Sequence, residues 1–340
     1  MTFESFARLT GASLRNHPSV SSFERVVTEA RGVRYKDLYI GDDPDEIAKA
    51  LQNGAYAIVS TRDLPIEDPE IAWFRVEDLN ETLIKLLRYT LLQKSLRLYY
   101  ADPVLFAYLQ RLCTKKEILF LTSDLAADYK KIDEAAPKSV LIGHERRLIE
   151  RLSGNFETIP PHPKHDLKLL HHTLFRSTFL YRGRLYRQIK VPPLFLDTFM
   201  SALHFCERHG DSVEIEKLSF IEHFHPLFVS QNIHLRSYGS SDHVIVCEEH
   251  PDLIERACRY LRQEAPWAKI VLLLRRCPPS PKAPCDLPCY TLTDADSVTL
   301  LSRVEFNFAI VGEKSAIIRQ ILERQAEKER NRPLLKESYD

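Results

Sequence analysis

The sequence predicts an α/β protein built of three consecutive α/β blocks. Three observations carry that expectation. Short apolar runs of strand length, such as AYAIVS, SVLIGH and KIVLLLRR, recur along the chain with segments of helical periodicity between them. Runs such as VIV, IVLLL and FAIV are apolar throughout rather than alternating, the pattern of parallel strands buried on both faces. The 340 residues, 44% hydrophobic and 28% charged, supply ample core for more than one domain.

In the first block, residues 1–92, VRYKDLYIG predicts a strand. DPDEIAKALQNG predicts a helix, capped by Asp43 or Asp45, with Ile47, Ala50 and Leu51 at helical spacing and Gly54 as its stop. AYAIVS and IAWFRV predict two more strands. DLNETLIKLLRYTLLQK predicts a helix with Asp78 or Asn80 at its cap.

In the second block, residues 93–225, strand SLRLYYAD runs into helix PVLFAYLQRLC, where Pro103 suits the first helical turn. EILFLTS and SVLIGH follow as strands and HERRLIERLS as a helix. TLFRSTFLYRGRLYRQIKVP predicts a hairpin turning at Arg182–Gly183, and PLFLDTFMSALHFCERHG a helix ending at Gly210. The third block, residues 226–326, reads as strands NIHLRSYG, HVIVCEE, KIVLLLRR and FNFAIVG. Between and after them lie helices HPDLIERACRYLRQEAP, DADSVTLLSRV and EKSAIIRQILERQAEK. Residues 327–340 form a polar tail.

The charge balance narrows the function classes. Lys+Arg and Asp+Glu both number 47, so no global field draws the chain to nucleic acid or to an anionic membrane. No apolar run approaches the roughly 20 residues of a membrane span. The start, MTFESFARLTG, lacks a basic segment leading into an apolar core, so a cytoplasmic location is expected. Arg176, Arg182, Arg184, Arg187 and Lys190 alternate with Phe175, Phe179, Tyr181 and Tyr186 in the hairpin. That pattern suits single-stranded nucleic acid, but with neutral overall charge it suits better a sheet with one apolar and one solvated face.

Metal chemistry has two candidate places. Cys277, Cys285 and Cys289 fall within 13 positions, but without the CxxC spacing of a zinc site; the other cysteines read as small buried apolar groups. Among 13 histidines, HPKHDLKLLHH supplies His162, His165, His171 and His172, and IEHFHP supplies His223 and His225. A His-x-His pair on a strand would set both rings on one face, as zinc requires, yet the neighbouring sequence completes no ligand shell. No metal is therefore assigned. No nucleophile elbow or Cys/His signature is present, and the GSSD of residues 239–242 reads as a turn. Glycine is scarce, 10 in 340, which disfavours loops that wrap backbone round a phosphate.

Residues 27–60, VTEARGVRYKDLYIGDDPDEIAKALQNGAYAIVS, resemble the N-terminal domain of the Mur ligases. Within that family they are closest to the enzyme adding D-alanyl-D-alanine to a UDP-muramoyl tripeptide. Thr28-Glu29-Ala30-Arg31 stands where that family has a Thr–acidic–Ser–Arg tetrad, Lys36-Asp37-Leu38-Tyr39 where it has Gly-Asp-Leu-Phe, and Asn53-Gly54-Ala55 at its closing Asn-Gly-Ala. LSFIEHFHPLFV, DHVIVCEEHPDLIERACRYL, APWAKIVLLLRR and FNFAIVGEKSAII resemble the family's Rossmann-like third domain.

The resemblance implies a UDP-sugar-type N-terminal domain at 1–92, a shortened and degenerate central domain at 93–225 and a C-terminal domain at 226–326. It implies contact of Thr28, Arg31 and Asn53 with the nucleotide-sugar, with Arg31 suited to a phosphate by its planar fork. The departures imply lost chemistry. The family's ATP loop ends in Gly-Lys-Thr, whereas the corresponding Ala101, Asp102 and Pro103 offer no glycine, lysine or hydroxyl. Phe228-Val229 replaces a Gly-Arg pair, and Cys247 or Glu248 an aspartate.

The expectation is a Mur-ligase-like protein without ATP-dependent ligation and without a cofactor. It would bind a UDP-muramoyl peptide or other proteins of cell-wall synthesis. The competing expectations are an active ligase using ATP and magnesium through an atypical loop, and a scaffold that binds no small molecule.

Overall fold

A computed structural model describes residues 1–66, 68–162, 166–277, 287–293 and 295–330. The fold is mixed α/β with three largely parallel sheets and one antiparallel sheet.

The first sheet comprises β1 (Ser13–Leu14), β2 (Val26–Val27), β3 (Leu38–Ile40), β4 (Ala57–Ser60) and β5 (Ala72–Arg75), in the order β1-β5-β4-β3-β2. All are parallel except β1, which pairs antiparallel with β5 at the edge. Three helices accompany it: α1 (Phe3–Thr10), α2 (Pro44–Gln52) and α3 (Leu79–Gln93). The caps follow the sequence. Asp43 accepts the N–H groups of Asp45 and Glu46, and Asp78 those of Asn80 and Glu81, so each carboxylate satisfies donors that a helix start leaves open. Helix α1 was not foreseen in MTFESFARLTG; Thr2 caps it and Gly11 closes it at φ 79°.

The second sheet, entirely parallel, comprises β6 (Arg97–Tyr100), β7 (Ile118–Phe120), β8 (Val140–Gly143) and β9 (Glu157–Thr158), in the order β7-β8-β6-β9. The helices of this stretch are α4 (Pro103–Leu112), α5 (Leu125–Glu134) and α6 (Arg146–Leu152). The unforeseen α5 is capped by Asp124 and buries Tyr129 and Ile132.

The third sheet is an antiparallel meander of β10 (Leu167–His172), β11 (Ser177–Tyr181) and β12 (Arg184–Ile189), backed by α7 (Leu196–Arg208). Its hairpin turns at Arg182 (φ 47°) and Gly183 (φ 76°), both left-handed as a two-residue turn between twisted strands demands. The fourth sheet comprises β13 (His225–Val229), β14 (His243–Cys247), β15 (Ile270–Leu274), β16 (Cys289–Thr291) and β17 (Phe308–Val311), in the order β13-β14-β17-β15-β16. Only β13 is antiparallel. Its helices are α8 (Pro251–Glu264) and α9 (Ser315–Arg330).

Two elements differ from expectation. NIHLRSYG forms no strand beyond a single bridge of Leu235 to Val229. The chain turns back at once because Ser230 accepts the N–H of Ile233, itself left-handed at φ 55°, and the edge strand is HPLFV instead. The segment read as helix DADSVTLLSRV is a 3-10 helix over Ala295–Arg303.

The chain divides into two compact units. One comprises residues 1–102 and 114–159, the other residues 103–113 and 160–340. The division follows contact rather than chain order, so α4 groups with the later residues. The core of the first unit joins Phe6, Leu38, Val59, Phe74 and Leu87 to Leu141 and Ile149, all buried. In the second, Tyr108 of α4 meets Phe199 of α7 edge-to-face at 5.5 Å. One face of the fourth sheet packs Ile245, Val271 and Ala309 against Val298, Leu301, Ile318 and Leu322. Among the described residues, no helix is long and apolar enough to cross a membrane.

Candidate functional site

The segment from Arg25 to Asp37 leaves β2, makes a 3-10 turn over Ala30–Gly32 and returns to β3. A buried carboxylate organises it. Asp37, 1% exposed, accepts Arg25 Nε at 3.1 Å and the Arg34 backbone N–H at 2.7 Å. The hydrogen bond that Arg25 donates to Asp37 is the main reason the Arg25 pKa rises above its ordinary value. Lys36 sits at φ 70° where the resembled family has glycine, and its N–H reaches the Gly54 carbonyl at 3.2 Å. Gly54 itself is at φ 93°, and a Cβ there would lie 3.3 Å from the Tyr35 Cα. The Asn53-Gly54-Ala55 turn thus closes directly on the lip.

The same lip forms one wall of a cavity of about 170 Å³. Arg25, Thr28 and Glu29 line that wall; Tyr129, Lys130 and Asp133 of α5 line the other. Its two cations are already engaged, Arg25 with Asp37 and Lys130 with Glu29 at 3.9 Å. Sites that enclose a drug-sized ligand run to about 300–1,000 Å³. This one therefore accommodates a single moiety, with the remainder of a larger ligand lying along the rim.

The three residues singled out for the nucleotide-sugar fall in different places. Thr28 lines the cavity. Arg31 is outside the lining; its side chain is 86% exposed and pairs with Glu29 at 3.2 Å. Asn53 donates to the Ala30 carbonyl at 2.9 Å, so it holds the turn that presents Thr28 and Arg31. The α5 wall was missed because Lys130 and Asp133 lie roughly a hundred residues from the lip and match no local motif.

At the end of β6, Ala101 is fully buried and donates its N–H to the Gly143 carbonyl at 2.9 Å. Asp102 is exposed, and Pro103 is the first residue of α4. That backbone N–H is thus committed to the neighbouring strand.

The cysteine and histidine candidates resolve differently. Cys277 and Cys289 are joined in a disulfide rather than set as two thiolates for zinc; Cys285 lies outside the described residues, as does His165. His171 and His172 are exposed on β10, and His162 packs its ring 5.1 Å from His204. His223 and His225 do not share a face. Phe224 between them is left-handed at φ 49°, which breaks the strand alternation that the pair needed. His225 places Nδ1 2.9 Å from the Ile221 carbonyl, and burial pushes its pKa down. His223 instead faces Glu248, with Nδ1 3.2 and 3.3 Å from the two carboxylate oxygens. His250 adds a second ring 5.1 Å from that of His223. Three arginines of the hairpin are occupied: Arg182 with Glu207, Arg184 with Glu216, and Arg176 stacked 3.7 Å over the Tyr238 ring.

No protein-family model and no curated relative matches the sequence. Solved structures do match. The MurF ligase of Thermotoga maritima, solved in complex with ADP, is 14% identical with a TM-score of 0.55, over 90% of this chain and 98% of that one. A MurF structure from Acinetobacter baumannii is 11% identical with a TM-score of 0.55, over 95% and 98%. A UDP-N-acetylmuramoylalanyl-D-glutamyl-2,6-diaminopimelate–D-alanyl-D-alanyl ligase from the same organism gives 12% and 0.50, over 96% and 98%. At these identities the likeness speaks to architecture, and it spans nearly the whole of both chains: the protein has a divergent Mur-ligase-like fold.

Proposed function

We propose that this chain serves peptidoglycan-precursor metabolism by holding a UDP-muramoyl peptide without carrying out ATP-driven amide formation. The observation that carries the reading is the turn from β6 into α4. Transfer of a phosphoryl group needs main chain that wraps the phosphates, a cation on the terminal ones and an oxygen for magnesium. Ala101, Asp102 and Pro103 supply neither the wrapping main chain nor the cation. Pro103 lacks an N–H, and Asp102 adds a negative charge where the ligand would carry several.

The nucleotide-sugar side rests on the lip. Thr28 offers a hydroxyl in a cavity sized for one moiety, between Arg25 and Lys130. Arg31 at the rim exchanges an exposed pair with Glu29, worth little in water, for a charge-assisted bond to a phosphate. The fold supports this reading, because a solved protein of similar architecture is by name a ligase of a UDP-muramoyl precursor.

Calorimetric titration of the full chain with a UDP-muramoyl tripeptide tests the binding half. Saturable heat is expected, with affinity reduced about tenfold or more in a Thr28→Val, Arg31→Ala double variant, as for the loss of one charge-assisted bond. Absence of heat at millimolar ligand removes that half. Release of phosphate from ATP that depends on both the tripeptide and D-alanyl-D-alanine overturns the other.

A further inference from the structure

We propose that His223, Glu248 and His250 form a divalent-metal site, suited to zinc, at the carboxyl end of β14. It is independent of the UDP-sugar reading and uses residues of the second compact unit only. Among the described residues, these three form the group whose ligand atoms come together, all within 4.8 Å of one another.

The geometry of Glu248 makes the case. Its side chain is fully buried beside His223, which is 10% exposed. Each carboxylate oxygen accepts one backbone N–H: Oε1 that of His250 at 3.0 Å, Oε2 that of Phe224 at 3.1 Å. Those two bonds fix the plane of the carboxylate, as outer hydrogen bonds do for metal ligands. They leave one lone pair on each oxygen, and both face His223 Nδ1, at 3.2 and 3.3 Å.

A three-centre N–H···O bond is one way to fill the position between the two oxygens. A cation suits the shared position. Zinc bonds nitrogen and oxygen at about 2.0–2.2 Å, which sets tetrahedral ligands roughly 3.4 Å from one another. The His223–Glu248 separations are already of that size. His250 needs only a small movement of a partly exposed ring.

Two imidazoles and a carboxylate are a recognised zinc ligand set that leaves a fourth position for water. The neighbouring carboxylates stand aside, Glu249 toward Lys314 at 3.7 Å and Glu222 bonded to Ser315 at 2.8 Å. The location also fits, since open α/β sheets gather ligands outside the carboxyl ends of their strands.

The test uses the full chain, free of any affinity tag and stripped with a chelator. Zinc is titrated calorimetrically, and cobalt(II) optically, because its ligand-field bands report tetrahedral coordination. One equivalent of zinc is expected, with a dissociation constant of about a micromolar or tighter. Histidine is a direct ligand, so His250→Gln should weaken binding at least as much as the roughly 10–100-fold that follows loss of a supporting group. The ring of His250 carries neither backbone bond of Glu248, so this variant spares the clamp. His172→Gln, on the exposed strand β10, should bind as the parent does. No zinc binding below about 10 μM, or equal affinity in His250→Gln, overturns the proposal. Should His250→Gln fail to fold by circular dichroism, the parent's cobalt spectrum decides. Intense tetrahedral bands support the site; an octahedral aquo spectrum overturns it.

Discussion

Asp37 and Glu248 are both about 1% exposed, and both accept backbone N–H groups that no helix or strand satisfies. They differ in what balances the charge. Asp37 faces the guanidinium of Arg25, which stays protonated at any ordinary pH. Glu248 faces imidazoles, which surrender a proton readily and can take a metal in its place. The first arrangement is a permanent clamp; the second can exchange what it holds. The contrast separates a carboxylate that shapes a binding lip from one that is itself fit to bind.

The largest effect is expected at the clamp. Asp37→Ala leaves the Arg34 N–H without its acceptor and the Arg25 guanidinium without its carboxylate, though still within 3.4 Å of the Gly32 carbonyl. Breaking a fully buried ion pair costs about 3–5 kcal/mol, but the Arg25 side chain is 42% exposed and recovers water. A loss of about 2–3 kcal/mol follows, enough to lower the melting transition of the first compact unit by roughly 5–10 °C in scanning calorimetry. An unchanged transition would mean that Asp37 is not the organiser of the lip.

A smaller effect is expected at the exchangeable site. In excess chelator, Glu248→Ala leaves the N–H groups of Phe224 and His250 unpaired, but it also removes the penalty of a buried carboxylate with no permanent counter-charge. The net is about 1–2 kcal/mol, read as urea unfolding of the second unit. A cost above that of Asp37→Ala would erase the contrast drawn between them.

Much of the architecture was readable because its signals are local. Apolar runs and their caps placed β3, α2, β4, α3 and α8, and the Arg182–Gly183 turn placed the meander. The Mur-ligase-like fold followed from features in register over residues 27–60 and from weaker motifs toward the C-terminus. What escaped depends on contacts distant in sequence or on single backbone angles. Glu248 lies 25 positions from His223, and only folding brings it there. The His223/His225 pair failed on one left-handed residue, Phe224, for which no sequence rule warns. Lys36 shows the converse: the family's glycine at that place signals a left-handed turn, and this chain keeps the turn at φ 70° with a lysine. The cavity beside Thr28 was half legible, its lip in the tetrad and its far wall in an unremarked helix.

The smallest effect sharpens the comparison with a third carboxylate. Among the described residues, Asp42 has neither an arginine bonded to it nor an imidazole; it accepts from the Ser60 hydroxyl at 2.7 Å, and from the Thr61 N–H and hydroxyl at 2.7 and 2.6 Å. Desolvation raises its pKa, but these hydrogen bonds, with Arg62 nearby, outweigh it and leave the pKa below its ordinary value. A depressed pKa contributes stability above the unfolded value, about 3.9, and that contribution is lost as pH falls from there through the folded value. Asp42→Asn should cost about 1 kcal/mol at neutral pH, the scale of one net hydrogen bond. The gap between parent and variant should then narrow as the solution is acidified below about pH 4. A gap that stays constant to pH 2 would show that the three donors recognise the shape of the side chain rather than its charge, and would set Asp42 apart from both buried carboxylates.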